Sequence, residues 1–209
     1  MKHKWVITIG REYCSGGGAT GLAVSEALGI SYYDKNLVDE AADLARIDVN
    51  TAWKHDEKPV NFVSMASFMS LFNESYYPDD PDLMMPMGMK VAAAQSMAIE
   101  QIAKREPCVI VGRCADFVLR DRDYVFNVFL RADLEKRVER VMEQHRLNAA
   151  DARKLIRQTD KTRASYYKGH TQQVWGDPVN YHLVLDVGKF GIDGSAKIIV
   201  DSLRILDER

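Results

Sequence analysis

A three-layer α/β fold, a parallel sheet with helices on both faces, is the architecture this sequence predicts, and two observations carry that reading. Short apolar runs alternate with segments of helical period, and the first run feeds a glycine-rich stretch that opens a helix. Crossover connections of this kind make strands parallel and bury both of their faces.

The first strand is expected over residues 5–9, where Trp5 to Ile9 run apolar until Gly10 and Arg11 break the pattern. Residues 19–28 follow with Leu22, Ala23, Ala27 and Leu28 at helical spacing. Further strands are expected at 108–111, 125–130 and 183–185. The later helices have readable starts. Asp133 precedes LEKRVERVMEQ, Asn148 precedes AADARKLIRQ and Asp193 precedes GSAKIIVDSLRIL, each an N-cap residue ahead of an apolar stripe. Between Arg46 and Leu83 the pattern degrades around Pro59, Pro78 and Pro81, and LMMPMGM follows at 83–89. That stretch reads as an inserted, partly helical subdomain whose methionines fill irregular gaps in a core.

The composition of the 209 residues, 46% hydrophobic and 28% charged, fits one globular domain with a subdomain or lid. A net charge of -2 lacks the basic excess that a nucleic-acid polymer would need, and leaves a small anion held by local positive charge. The apolar run at the N-terminus is too short for a signal-peptide core or a membrane span, so a cytoplasmic location and no membrane partner are expected. Cys14, Cys108 and Cys114 form no CxxC pair and the five histidines are scattered, which predicts reduced thiols and no metal-ligand spacing.

The segment GREYCSGGGATG, residues 10–21, sits where a phosphate-cradling loop belongs, after a strand and at the opening of a helix. Backbone N–H groups from Ser15, Gly16, Gly17, Gly18 and Ala19 would turn toward the phosphates of ATP, and Thr20 would offer a hydroxyl to Mg²⁺. Counting back from Thr20 places Gly18 where the loop lysine belongs. Arg11, or Lys161 further along, would have to supply the missing charge. A glycine-rich strand-to-helix turn without a ligand explains the loop alone equally well.

The order of ITIGREYCSGGGATG, SYYDKNLVDEAA, PCVIVGRCADFVL, VFLRADLEKRVERV and TDKTRASYY resembles the cytidylate kinase-like family. The resemblance implies a nucleoside monophosphate kinase fold with a P-loop, an acceptor-binding insert at about 46–105 and an arginine-rich lid at about 146–180. It implies that Ser15, Gly16, Gly17 and Thr20 hold the donor, that Asp34 follows the second strand, and that Gly112 and Arg113 end the third. Asp160 and Arg163 match the D-x-x-R of the lid. Arg113 and Arg163 are then the leading electrostatic catalysts, since guanidinium groups neutralise phosphoryl charge without competing as nucleophiles. Asp34 would hold Mg²⁺ or orient the acceptor; its alternative reading is an N-cap for residues 35–42.

The sequence departs from the family on the acceptor side. Lys35, Asp39 and Glu40 replace the serine, tyrosine and arginine expected after Asp34, and Cys114 replaces the aspartate of GRD, with Asp116 two residues on. Tyr166, Tyr167, Thr171, Trp175, Asp177 and Tyr181 are expected to brace the lid rather than stack on a base. For Arg137 and Arg140, water is the expected partner of at least one. The implied activity is ATP-dependent phosphoryl transfer to a nucleoside monophosphate or related small phosphate acceptor, with small-molecule nucleotides as partners. A catalytically weak nucleotide sensor and a homodimeric scaffold are the competing classes, and both a monomer and a homodimer are compatible with the sequence.

Overall fold

The structure is a computed structural model that describes residues 4–57 and 86–208. Five strands form one parallel sheet: β1 (Val6–Arg11), β2 (Ser31–Tyr33), β3 (Cys108–Val111), β4 (Val125–Arg131) and β5 (Leu183–Asp186), in the order β2-β3-β1-β4-β5. Val6 pairs with Cys108 on one side and Val125 on the other, so β1 is central. Its Val6, Ile7 and Ile9 are buried, as is all of β3, which follows from a sheet covered on both faces.

Helices α1 (Gly17–Leu28) and α8 (Val187–Asp207) close one face over Ile7, Ile9, Val109, Val111 and Val128. On the other face, α2 (Asn36–Ala45) and α4 (Met87–Arg105) pack Leu37, Ile99 and Ile102 against Val6 and Ile110. The short α3 (Val49–His55) joins α2 and α4 through Ala52. Helix α5 (Ala115–Val118) follows β3, and α6 (Leu134–His145) pairs with α7 (Ala149–Thr171) through Val138, Val141, Ala152 and Ile156.

The expected strands and the first helix are present, with α1 starting two residues earlier than the apolar pattern indicates. Asp133 and Asn148 are N-caps: their carboxylate and amide oxygens accept from the N–H groups of Glu135 and Asp151. Asp193 is not one. Asp186 caps α8 instead, and a break at Gly191 (φ 73°) leaves Asp193 in the turn beyond it. The GSAKIIV stripe therefore belongs to the second of two helical segments, which begins just after the kink at Gly191. Of the insert expected at 46–105, α3 and α4 are seen; Pro59, Pro78, Pro81 and residues 83–85 of the methionine stretch lie outside the described residues.

Candidate active site

The carboxyl ends of β1, β2 and β3 meet where the sheet order reverses, the place at which open α/β sheets hold ligands. A cleft of about 560 Å³ opens there. Gly16 begins its wall. It stands at the N-cap of α1 with φ 100°, a left-handed conformation that glycine adopts without a Cβ penalty, and no side chain caps the helix. The first N–H groups of α1 are thus left for an external acceptor.

A side chain at position 17 would put its Cβ 2.5 Å from Cβ and 2.8 Å from Cγ of Arg11, so the Arg11 stem already fills that space. A Cβ at Gly18 would meet only Tyr32 Oη at 3.6 Å and Asp34 Oδ2 at 3.7 Å. The Arg11 stem therefore packs against the glycine loop. Lys161 is exposed and is not part of the cleft wall. Gly16, Gly17, Gly18 and Ala19 line the cleft, whereas Ser15 and Thr20 are wholly buried, and neither hydroxyl has a hydrogen-bond partner among the described residues. Thr20, expected beside a metal, lies on the buried face of α1 and does not line the cleft.

Arg113 is delivered by strained backbone. Gly112, Arg113 and Cys114 all take positive φ, at 81°, 51° and 55°, which costs the two non-glycine residues about 1 kcal/mol or more each. The turn folds the guanidinium back so that Nη1 donates to the Val111 carbonyl (3.1 Å) and Asp34 Oδ1 (3.3 Å). Nε and Nη2 make a forked pair with Asp56 at 3.1 and 2.9 Å. The side chain is 2% exposed. Burial alone would weaken its charge, but Asp56, Glu57 and Asp34 more than offset that and raise its pKa.

Arg11 and Arg163 share one carboxylate. Glu57 Oε1 lies 2.9 Å from Arg11 Nη1, and Oε2 lies 3.3 Å from Arg163 Nε, while Arg163 Nη1 also donates to the Arg11 carbonyl at 3.2 Å. Burial pushes the Glu57 carboxyl up; Arg11, Arg163 and Arg113 outweigh it and hold the pKa at about 2. Asp34 faces Arg113 and, at 3.7 Å, Arg11, so it is bound into this network and is no N-cap for α2. Arg113, Arg163, Arg11 and Asp34 are thus brought together around one cleft.

Asp160 stands apart from them. Its carboxylate accepts from the Tyr13 N–H at 2.8 Å and from Arg137 Nη1 at 2.7 Å, anchoring the glycine loop to α7 without lining the cleft. Arg137 is buried at that anchor. Arg140 is half-buried over the loop, with Nη1 on the carbonyls of Cys14 (3.1 Å) and Ser15 (2.6 Å) and no carboxylate partner among the described residues. Neither arginine is given over to water. Asp116 is buried and accepts from Tyr167 Oη at 2.7 Å, beside Cys114, Tyr166 and Trp175, so the aromatic stretch braces the fold. Glu40 lies at the far side, 3.9 Å from Arg105.

Sequence reading missed Asp56 and Glu57. They follow α3 in a stretch without pattern, and an acidic pair there looks like any exposed turn. Arg140 was visible as the second member of an i, i+3 pair, but only the packing of α6 against the loop shows which way it points.

A parallel sheet of this order, a glycine loop opening its first helix and arginines gathered at the strand ends define a P-loop kinase fold. The chain belongs to the cytidylate kinase-like family, whose sequence profile matches residues 6–189. A cytidylate kinase from Methanopyrus kandleri is 29% identical over 121 residues, which are 52% of this chain and 61% of that protein, so the match spans less than two thirds of the relative. A crystal structure of an uncharacterized protein from Eubacterium ventriosum superposes with a TM-score of 0.70 and 25% identity, covering 99% of this chain and 100% of the other. Shikimate kinases from Bacteroides thetaiotaomicron (TM-score 0.55, 12% identity, 97% and 99% covered) and Acinetobacter baumannii (0.53, 12%, 100% and 96%) share the fold. Among the described residues no helix is long and apolar enough to cross a membrane.

Proposed function

We propose that this protein transfers a phosphoryl group from ATP to a small acceptor, a nucleoside monophosphate or related phosphate compound, with CMP not the preferred one. The observation that carries this reading is the convergence on one cleft of the open N-terminus of α1 with Arg11, Arg140 and Arg163 from three different elements. Backbone N–H groups of residues 16–19 would receive the donor phosphates, the Ser15 N–H being held by the Glu12 carbonyl, and Arg140 would add the charge that the loop itself lacks. Arg163, and Arg11 beside it, would stabilise the charge that spreads over the transferring group.

Magnesium fits this site as a companion of the nucleotide. Among the described residues no group of three His, Cys, Asp or Glu would hold a metal, and Gly18 leaves room beside Asp34, a carboxylate that lines the cleft. Asp34 would hold the ion together with the phosphates, and the ion would neutralise part of their charge. Asp34 also stands where it would orient an acceptor oxygen. On the acceptor side, Arg113 has its donors committed to Asp56, Asp34 and Val111, and Cys114 offers no carboxylate, so neither of these two residues is free to contact CMP as its counterpart in a cytidylate kinase would.

The test is ADP release with ATP and Mg²⁺ across a panel of nucleoside monophosphates and small phosphorylated metabolites. An acceptor other than CMP is expected to give the highest kcat/KM. CMP turning over best at an ordinary kinase rate of about 1–100 s⁻¹ would reject the acceptor assignment. The second reading, a nucleotide sensor, is favoured by one observation: Arg11, Arg113 and Arg163 are all paired with the protein's own carboxylates. ATP binding without turnover of any acceptor would put that reading in place of the first.

A further inference from the structure

Glu57 is an unusual residue in this cleft on three independent counts. Its carboxylate bridges two arginines, one oxygen to each, and those arginines come from different elements: Arg11 from the end of β1 and Arg163 from α7. Its backbone has φ 48°, a left-handed conformation that costs a non-glycine residue about 1–2 kcal/mol, so the surrounding contacts must hold it there. The neighbouring backbone is also shaped around the pair. A Cβ at Gly112 would fall 1.9 Å from Arg11 Nη1 and 2.7 Å from Glu57 Oε1, so only glycine lets the ion pair close.

Two guanidinium groups that converge on two oxygens of a single anion form a receptor for any small oxyanion of similar span. A carboxylate fits it, and so does the edge of a phosphoryl group. We infer that Arg11 and Arg163 are an oxyanion clamp whose resident occupant is the Glu57 carboxylate, and that phosphoryl oxygens of a bound nucleotide enter by displacing it. The inference rests on the donor-site reading above and adds a competitor inside the site. Glu57 keeps the two arginines paired in the free protein, where two close cations would otherwise repel each other. The same pairing lowers nucleotide affinity, because only molecules with the clamp released are competent to bind.

Asp56 supplies the contrast. It lies next in the chain, yet its fork is on Arg113, deep in the wall, and Gln95 Nε2 donates to it at 2.9 Å. It is a fixed strut rather than an exchangeable occupant.

The experiment is calorimetric titration of the full chain and of Glu57→Gln, Glu57→Ala and Asp56→Asn with ATP, inorganic pyrophosphate and adenosine, alongside thermal unfolding of each protein. Both Glu57 variants are expected to bind ATP and pyrophosphate about tenfold more tightly than the parent and adenosine unchanged. Their unfolding temperature without ligand should fall, and its rise on adding ATP should exceed the parent's. Asp56→Asn should be less stable with no gain in affinity. If the parent binds ATP and both Glu57 variants bind it equally or more weakly, Glu57 only holds the arginines in place and the clamp is overturned while the donor site stands. If neither parent nor variants bind ATP at millimolar concentration, the donor-site reading fails and takes the clamp with it. Binding by the Glu57 variants alone supports the proposal.

Discussion

Arg140 and Arg113 line the same cleft, yet their surroundings are opposite. Arg140 meets two backbone carbonyls of the glycine loop and no carboxylate among the described residues, whereas Arg113 is wrapped by Asp56 and Asp34 and is 2% exposed. On the loop side, positive charge and open N–H groups are left for an outside anion. On the other side, three arginines are neutralised by Asp34, Asp56 and Glu57 before any ligand arrives. The same residue type therefore serves two purposes, and burial decides between them. An ion pair removed from water must be fully partnered, while a half-exposed guanidinium keeps donors to spare.

Arg163 stands at the boundary of the two regions and gives the largest expected effect. Arg163→Ala should lower phosphoryl transfer by a factor of about 10³, because a guanidinium on the transferring group acts chiefly in the transition state. Its side chain is 16% exposed and Glu57 keeps Arg11, so the loss of stability should be much smaller. Single-turnover rates set against urea unfolding check this; activity lost in proportion to stability would move Arg163 into the structural group.

Arg113→Ala is expected to reverse that pattern. The family resemblance gives Arg113 and Arg163 the same role, as electrostatic catalysts. The structure separates them. Removing Arg113 leaves Asp56 and Asp34 in the wall without their main partner, which should cost about 3–5 kcal/mol. A shift of the urea midpoint at unchanged slope would measure it. A variant as stable as the parent would show the network is looser than its geometry implies.

The acid limb of stability sharpens the comparison further. Glu57 has a folded pKa of about 2 against an ordinary 4.5, so its contribution is fully present above the unfolded value. It is lost as pH falls through the folded one. Between about pH 4.5 and 2 the parent should lose on the order of 3 kcal/mol that Glu57→Gln does not lose. Parallel unfolding curves across that window for the two proteins would mean that the pairing is equally strong in the unfolded chain.

Arg140 tests the loop side. Replacing it with alanine should weaken ATP binding about tenfold to a hundredfold, the worth of one charge-assisted hydrogen bond. Arg140→Gln separates charge from bracing, since an amide still donates to the Ser15 carbonyl. Glutamine should bind ATP as poorly as alanine; recovery to the parent's affinity would make Arg140 a brace for the loop.

Much of this arrangement was legible in the sequence. The strands announced themselves because both faces of the sheet are buried, so 108–111 and 125–130 read as unbroken apolar runs. The three-residue β2 carries too little pattern and entered only through the family resemblance, on SYYD. The loop, Arg11, Asp34, Arg113 and Arg163, which line one cleft, were legible because each sits at a strand end or in a motif. Asp160 was found too, but its direction was not: helical position fixes spacing, and only the packing of α7 against Tyr13 shows that the carboxylate turns to the loop backbone. Asp56 and Glu57 were invisible because their partners are 57 and 46 positions away in the chain, a pairing that local pattern cannot encode.

Thr20 carries the smallest expected effect and the sharpest disagreement between pattern and place. Spacing within the glycine loop assigns its hydroxyl to a metal, whereas the fold buries it completely and gives it no hydrogen-bond partner among the described residues. A buried hydroxyl left unpartnered costs free energy, so its replacement by an apolar group of the same shape should do no harm. Thr20→Val is therefore expected to be as stable as the parent or more stable by about 1 kcal/mol, with Mg²⁺-dependent ATP affinity unchanged. Gly18 stands beside Asp34 and would be the point of approach instead, so a larger residue there, as in Gly18→Val, should weaken Mg²⁺-ATP while leaving Thr20 untouched. Calorimetry with and without Mg²⁺ reads both variants. Loss of the Mg²⁺ dependence in Thr20→Val would mean that α1 rotates on binding to bring the hydroxyl into the cleft, and the loop side would then be as preoccupied in the free protein as the arginine side.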